Sequence, residues 1–170
     1  KSIFVTAMDT NPLAAKAELL IKEEEQAFAH GLKVLTRLTQ GSVYVCQKPN
    51  AIMPQVKGIT YEEFDGPHPA GLPGTHIHFL DPVNMDTCVW HINYQDVIAC
   101  GKLFTSGKIP VERTIALGGP GVKEPRLLRT RIGANLDELT AGQIKDGKQR
   151  VISGSVFNGC EAAEEMAFLG

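Results

Sequence analysis

Short apolar runs of β character alternate with stretches of helical periodicity through the first two thirds of this chain, and no other feature restricts its fold as much. Ser2–Met8, Val43–Cys46 and Val89–Ile92 are such runs, and Ile59–Phe64 alternates as a further strand does. Between the first two, Ala27, Phe28, Leu32, Leu35 and Leu38 recur at helical spacing over Glu23–Leu38, and Gly41 stops the run. Tyr94–Lys102 carries Val97, Ile98 and Ala99, with Leu103 beyond, on a second helix. Asn93 is placed to cap it and Gly107 to end it. Strands separated by helical crossovers belong to an α/β layer with a mostly parallel sheet.

The pattern changes near Pro110. Arg113–Leu117 and Arg126–Ile132 read as two strands, joined through the turn Gly118-Gly119-Pro120-Gly121, which is a hairpin signal. Asn135–Leu139 is a short capped helix and Arg150–Ser153 a further strand. Strands around one short helix describe a small α+β unit of β-grasp type. The expected domains are therefore residues 1–110 and 111–170, divided within Lys108–Glu112.

With 170 residues, the chain is long enough to bury a substantial core. Its 43% hydrophobic and 21% charged residues are ordinary globular usage. The net charge of −2 provides no basic field for nucleic acid. The Glu23–Glu25 run and the basic stretch Lys123–Arg131 read as solvated faces. No apolar run has the length of a membrane-spanning helix, and no signal peptide is visible. Lys1 leads directly into strand-like residues, which reads as an excised piece of a longer protein. Cys46, Cys88, Cys100 and Cys160 form no CxxC pair, so neither a thiolate metal site nor an iron–sulfur site is expected. Cys46, Cys88 and Cys100 sit among apolar neighbours and read as buried small hydrophobes of a reduced protein.

The stretch FDGPHPAGLPGTHIHF, Phe64–Phe79, concentrates three histidines and three prolines behind the third strand. Three readings compete for it. On a strand, His76 and His78 face one side and, with His68 or Asp81, match a metal site. On a helix that starts after Gly74, with Thr75 as cap, they diverge. The segment favours the helix, since Ile77 and Leu80 fall at i, i+3 and HxxxH spacing is missing. As an anion cradle the loop lacks GxGxxG and P-loop spacing, and Pro67, Pro69 and Pro73 each remove an N–H donor. The third reading is a rigid turn at the carboxyl end of a sheet strand, the place where α/β proteins hold ligands. Asp65 and His68 serve acid–base work or turn the backbone. Trp90, beside His91 and Tyr94, either fills the core or offers an aromatic docking surface. Ser153-Gly154-Ser155 is not a nucleophile elbow, and no Ser/His/Asp order stands out.

Four long phrases carry a resemblance. FVTAMDTNPLAA (Phe4–Ala15), FDGPHPAGLPGTHIHFLDPV (Phe64–Val83), INYQDVIACGKLFTSGKI (Ile92–Ile109) and RVISGSVFNG (Arg150–Gly159) resemble the A-subunit family of the sodium-translocating NADH:quinone oxidoreductases. The resemblance extends more weakly to the C subunit of the Rnf electron-transport complex and to the flavin-bearing subunit of respiratory complex I. It implies a Rossmann-like α/β domain followed by a soluble-ligand-binding β-grasp (SLBB-like) domain, in the middle portion of a longer subunit. It also implies a peripheral location on the cytoplasmic side of the bacterial inner membrane, docked on the membrane-embedded B subunit and involved with ubiquinone. FMN, FAD, riboflavin and Fe–S centres would then belong to other subunits. The glycine-rich flavin loop and cysteine motif of the complex I relatives are missing here. On this reading the chain supplies no catalytic residue and binds no cofactor of its own. Asp65, His68, Gly71, His76, His78 and Trp90 are its candidates for contact with a quinone or a partner. The alternatives are a purely structural docking module, or a metal-dependent enzyme built on His68, His76 and His78.

Overall fold

The computed structural model describes residues 1–163 and 167–169. Its residue contacts group into two units, Lys1–Thr10 with Lys16–Pro110, and Asn11–Ala15 with Val111–Gly170.

The first unit is built on a four-stranded parallel sheet in the order β3-β2-β1-β4. Its strands are β1 (Ile3–Thr6), β2 (Val43–Gln47), β3 (Ile59–Glu63) and β4 (Trp90–Asn93). Phe4 pairs with Tyr44 of β2 and with His91 of β4, so β1 is central and all four of its residues are buried. Helices α1 (Ala17–Glu23) and α2 (Glu25–Leu38) lie between β1 and β2 in the chain. Helix α3 (Pro73–Leu80) follows β3, and α4 (Tyr94–Ser106) follows β4. The alternation is thus that of an α/β sheet, with α1 a short helix that the sequence pattern did not show. Side chains alternate across the strands. Ser2 donates its hydroxyl to Asp81, the residue after α3. Ser2, Phe4 and Thr6 therefore face α3, and Ile3 and Val5 face the other way. Phe4 stacks on Tyr44 with ring centres 5.0 Å apart.

Helices α2 and α4 pack on each other. Phe28, Gly31, Leu32 and Leu35 form the buried stripe of α2. Tyr94, Val97, Ile98 and Gly101 form that of α4. Both follow the spacing that places residues on one helical face. The backbones touch at the two glycines. A Cβ on Gly31 would stand 2.0 Å from the carbonyl oxygen of Val97, and one on Gly101 would stand 1.8 Å from that of Ala27. The Asn93 side chain accepts from the Gln95 and Asp96 amides, and Gly107 closes α4 at φ 69° in the left-handed region. Each fully buried Leu, Val or Phe contributes about 1.5–3 kcal/mol by removing apolar surface from water. The Lys102–Glu24 ion pair, 2.6 Å long and partly exposed, adds little by comparison.

In the second unit β5 (Glu112–Leu117) and β6 (Arg126–Arg131) form an antiparallel hairpin, with Ile115 opposite Leu128. Helix α5 (Leu136–Thr140) is capped by Asn135, which accepts from the Asp137 and Glu138 amides. β7 (Ile152–Ser153) pairs with β8 (Cys160–Glu161) as a separate two-stranded sheet. Among the described residues of this unit, Val122, Leu136, Thr140 and Ala167 are the buried side chains, and the Leu136 amide donates to the Ala167 carbonyl.

Three expectations need correction. Thr75 does not cap α3. The helix starts earlier, with Pro73 in its first turn and Leu72 at the cap position, because proline's fixed φ suits a helix start and its missing N–H is no loss there. The Thr75 hydroxyl instead donates to the Pro69 carbonyl at 2.9 Å. Cys88 is exposed and Cys100 half-buried, leaving Cys46 as the buried thiol of that group. The apolar neighbours of Cys88 lie in an exposed approach to β4 and not in a strand interior. Trp90 is 63% exposed, because β4 is the edge of the sheet. Among the described residues no helix is long and apolar enough to cross a membrane.

Candidate functional site

The loop between β3 and α3 lies beyond the carboxyl end of the sheet, and a few bonds fix its shape. The Phe64 amide donates to the Gln47 carbonyl at 2.9 Å, which carries the chain past the end of β2. The Gly71 amide donates to Thr10 Oγ1 at 2.9 Å, tying the loop to the segment behind β1. A Cβ on Gly71 would stand 2.8 Å from both the Thr10 amide nitrogen and its Oγ1. A side chain there would push the two segments apart. The His68–Pro69 peptide is cis.

Within this frame the three histidines have different surroundings. His76 is wholly buried. Its Nε2 lies 2.9 Å from the Ala70 carbonyl, and its ring lies 4.4 Å from the Phe64 ring, centre to centre. The contact with a carbonyl requires a protonated Nε2, so the neutral ring has a bare Nδ1. That atom is buried and has no hydrogen-bond partner among the described residues. Burial holds the His76 pKa below the usual imidazole value, and the Ala70 bond opposes the shift only in part. His76 thus pins the loop to α3 from inside. His68 is half-buried, with Nδ1 3.4 Å from Thr10 Oγ1. His78 is exposed on α3, edge-on to Phe79 at 5.1 Å. Asp65 is exposed and its Oδ1 accepts from the Gly66 amide at 2.8 Å, turning the backbone.

The structure therefore brings Asp65, His68, Gly71 and His76 into one loop and first helical turn, with His78 half a turn further on and facing solvent. Trp90 does not join them. Its register partner is Ile3, at the amino end of β1, whereas the loop is anchored beyond the carboxyl end of that strand. Trp90 instead lines a cavity of about 650 Å³ with Ile3, Leu35, Leu38, His91 and Ile92. Sequence reasoning missed that cavity, since its wall comes from three separate elements. Among the described residues no group of three or more His, Cys, Asp or Glu is placed to hold a metal ion. One reason is visible in α3: with His76 turned inward and His78 outward, the two rings do not converge.

Open α/β sheets hold nucleotides beyond the carboxyl ends of the strands flanking a reversal of strand order, here β1 and β4. The Gln95 and Asp96 amides at the start of α4 are taken by Asn93 Oδ1, at 2.9 and 3.0 Å. The Asp96 carboxylate in the same turn opposes an anion. The turn after β1, Ala7-Met8-Asp9-Thr10, contains no glycine. These residues do not form a phosphate cradle. His68 lies in the loop and His78 on α3.

Residues 1–109 match the family described as the NqrA second alpha/beta domain. Residues 114–164 match the SLBB-type family described as the NQRA C-terminal domain. The chain is 57% identical over 169 residues to the A subunit of the Na(+)-translocating NADH-quinone reductase of Marinomonas sp., covering 99% of this chain and 38% of that protein. It is 56% identical over 171 residues to the corresponding protein of Pasteurella multocida and 58% identical over 171 residues to that of Saccharophagus degradans, again over 99% of this chain and 38% of each relative. The chain thus spans about 38% of the length of the curated relatives it matches.

Proposed function

The chain belongs to the NqrA family, the A subunits of Na(+)-translocating NADH-quinone reductases, and from that premise we propose that it is the middle portion of the peripheral subunit through which such a pump is assembled and its ubiquinone approached. The observation that carries this reading is the pair of adjacent family matches, 1–109 and 114–164. In the assembled enzyme NADH oxidation and ubiquinone reduction drive sodium export. This stretch contributes surfaces and a shaped loop, while the flavins and the iron–sulfur centre belong to other subunits. Its partners are those subunits, in particular the membrane-embedded B subunit, and its place is the cytoplasmic side of the inner membrane.

The finer fold reading follows the same line. The parallel order β3-β2-β1-β4 is the order with which a Rossmann sheet begins, and supports a Rossmann-like domain over 1–110. The hairpin, short helix and small second sheet of 111–170 support a β-grasp unit. The glycine-free turn after β1 and the self-capped start of α4 agree with a nucleotide-binding scaffold that does not itself hold a nucleotide.

On this reading His68 and His78, whose imidazole nitrogens can donate to a carbonyl oxygen, meet a quinone or a partner. Asp65 turns the chain beside them, and His76 and Gly71 hold the loop in shape. Trp90 is a separate contact at the other end of the sheet. A titration with a short-chain ubiquinone, followed through the imidazole proton signals of the five histidines, tests this. Saturable shifts at His68 and His78 are expected, with His91 unmoved. No shift up to the solubility limit would leave the chain as a docking module whose quinone contact lies elsewhere.

A further inference from the structure

The two edges of the parallel sheet are finished differently. At one edge β3 carries Glu62 and Glu63, and charged residues on an edge discourage pairing with another strand. At the other edge β4 reads Trp90-His91-Ile92-Asn93, with no lysine, carboxylate or proline. It matches β1 residue for residue, Ile3 with Trp90 through Thr6 with Asn93. The Trp90 amide donates to the Ser2 carbonyl at 3.0 Å. In a parallel ladder alternate residues turn to the same neighbour. Trp90 and Ile92 therefore bond to β1, while the backbone N–H and C=O of His91 and the N–H of Asn93 point away from it. Parallel sheets are ordinarily covered on both faces. Among the described residues, the face beside the β4 edge contains the 650 Å³ cavity, walled by the apolar Ile3, Leu35, Leu38, Trp90 and Ile92, with Lys1, Thr39, Gln40 and His91 completing its lining. Trp90 is 63% and Leu38 68% exposed, so two large apolar side chains stand in water at its rim.

We propose that an extended strand of the same polypeptide, from the part of the family's longer chain outside these 170 residues, adds to the β4 edge and fills this cavity with its side chains. Two requirements are met by one segment. Its backbone pairs with His91 and Asn93. Its alternate side chains, apolar and on the α2 side, enter between Leu35, Leu38 and Trp90. This stretch is 38% of the relatives it matches, so most of each such polypeptide lies outside it and can supply the strand. A tethered segment also reaches the edge at far higher effective concentration than a separate molecule. The inference uses family membership only and is independent of whether quinone touches the β3–α3 loop.

The test uses the intact full-length polypeptide with a benzophenone amino acid placed at Leu38, on the cavity rim, irradiated and then digested for mass spectrometry. The expected product joins the Leu38 peptide to one peptide outside this stretch, within a single polypeptide. A cross-link to a second copy, to another protein of the complex, or to nothing but residues 1–170 overturns the proposal. Hydrogen exchange on the same intact chain gives a second readout that no substitution can disturb. The His91 amide should exchange at least about 100-fold more slowly than an unpaired amide. Exchange at the unpaired rate refutes strand addition whatever the cross-link shows.

Discussion

Replacing Gly101 by alanine should destabilise the first unit although alanine is the better helix former. In α4 the new methyl carbon would stand 1.8 Å from the Ala27 carbonyl oxygen, 2.8 Å from its carbon and 2.8 Å from the Gly31 nitrogen. Ordinary carbon–oxygen contact lies near 3.4 Å, so the gap must open by roughly 1.5 Å. All three atoms are backbone within α2, and no rotamer change relieves them. The two helices must separate, and the separation loosens Phe28, Leu32, Val97 and Ile98, which pack on this seam. Alanine returns about 1 kcal/mol of helix propensity. Overpacking a closed core costs about 1–3 kcal/mol, and more where the backbone must move. The loss of contact along the seam adds a cavity term of similar size, about 2 kcal/mol. The net expectation is a loss of about 2–4 kcal/mol, read as a lower urea midpoint at unchanged slope. Gly74→Ala is the control. It sits in the first turn of α3 with nothing within 4 Å of its added carbon, and should be neutral or stabilising by up to about 1 kcal/mol. If Gly101→Ala unfolds within about 0.5 kcal/mol of the parent, the close crossing of α2 and α4 is not a constraint and the reasoning fails.

Two further perturbations probe the buried titrating groups. His76 has a lowered pKa in the folded chain, chiefly through burial. Below the unfolded value of 6.5 the unfolded chain therefore binds more protons than the folded one, and stability falls as pH drops from about 7 towards about 5. His76→Gln should flatten that part of the stability profile, and parallel profiles for the two proteins would contradict the buried neutral imidazole. The Cys46 thiol is pushed up to about 12, first by burial and then by the Glu62 charge. At about pH 8 a thiol reagent should modify the exposed Cys88 and Cys160 fast, Cys100 slowly and Cys46 only on unfolding. Mass-mapped labelling of Cys46 at the rate of Cys88 would show that β2 is not closed.

The sequence by itself determined most of the elements and their order, though not the short α1 or the two-residue β8. Phe28, Leu32 and Leu35 mark α2, Asn93 and Gly107 bound α4, and Asn135 starts α5, because periodicity, capping and left-handed termination are local rules that act within a few residues. The alternation of strand and helix in turn required parallel pairing, since a parallel neighbour is reached only through a crossover. The antiparallel hairpin was legible for the same reason, its two strands being separated by one turn-rich segment. What lies between distant segments was decided by tertiary structure alone. Gly31 and Gly101 look like helix weaknesses until the crossing shows that each admits the other helix's backbone. His76 and His78 are two residues apart in one motif, yet only the packing of α3 on β1 turns one ring into the core and leaves the other in water. Trp90 is apolar and strand-bound in sequence. Its exposure follows from β4 lying at the end of the strand order, which no local pattern encodes. The loop's chemistry was therefore visible as a set of residue types, while their division into those that hold the loop and those that face outward depended on which face of α3 meets the sheet.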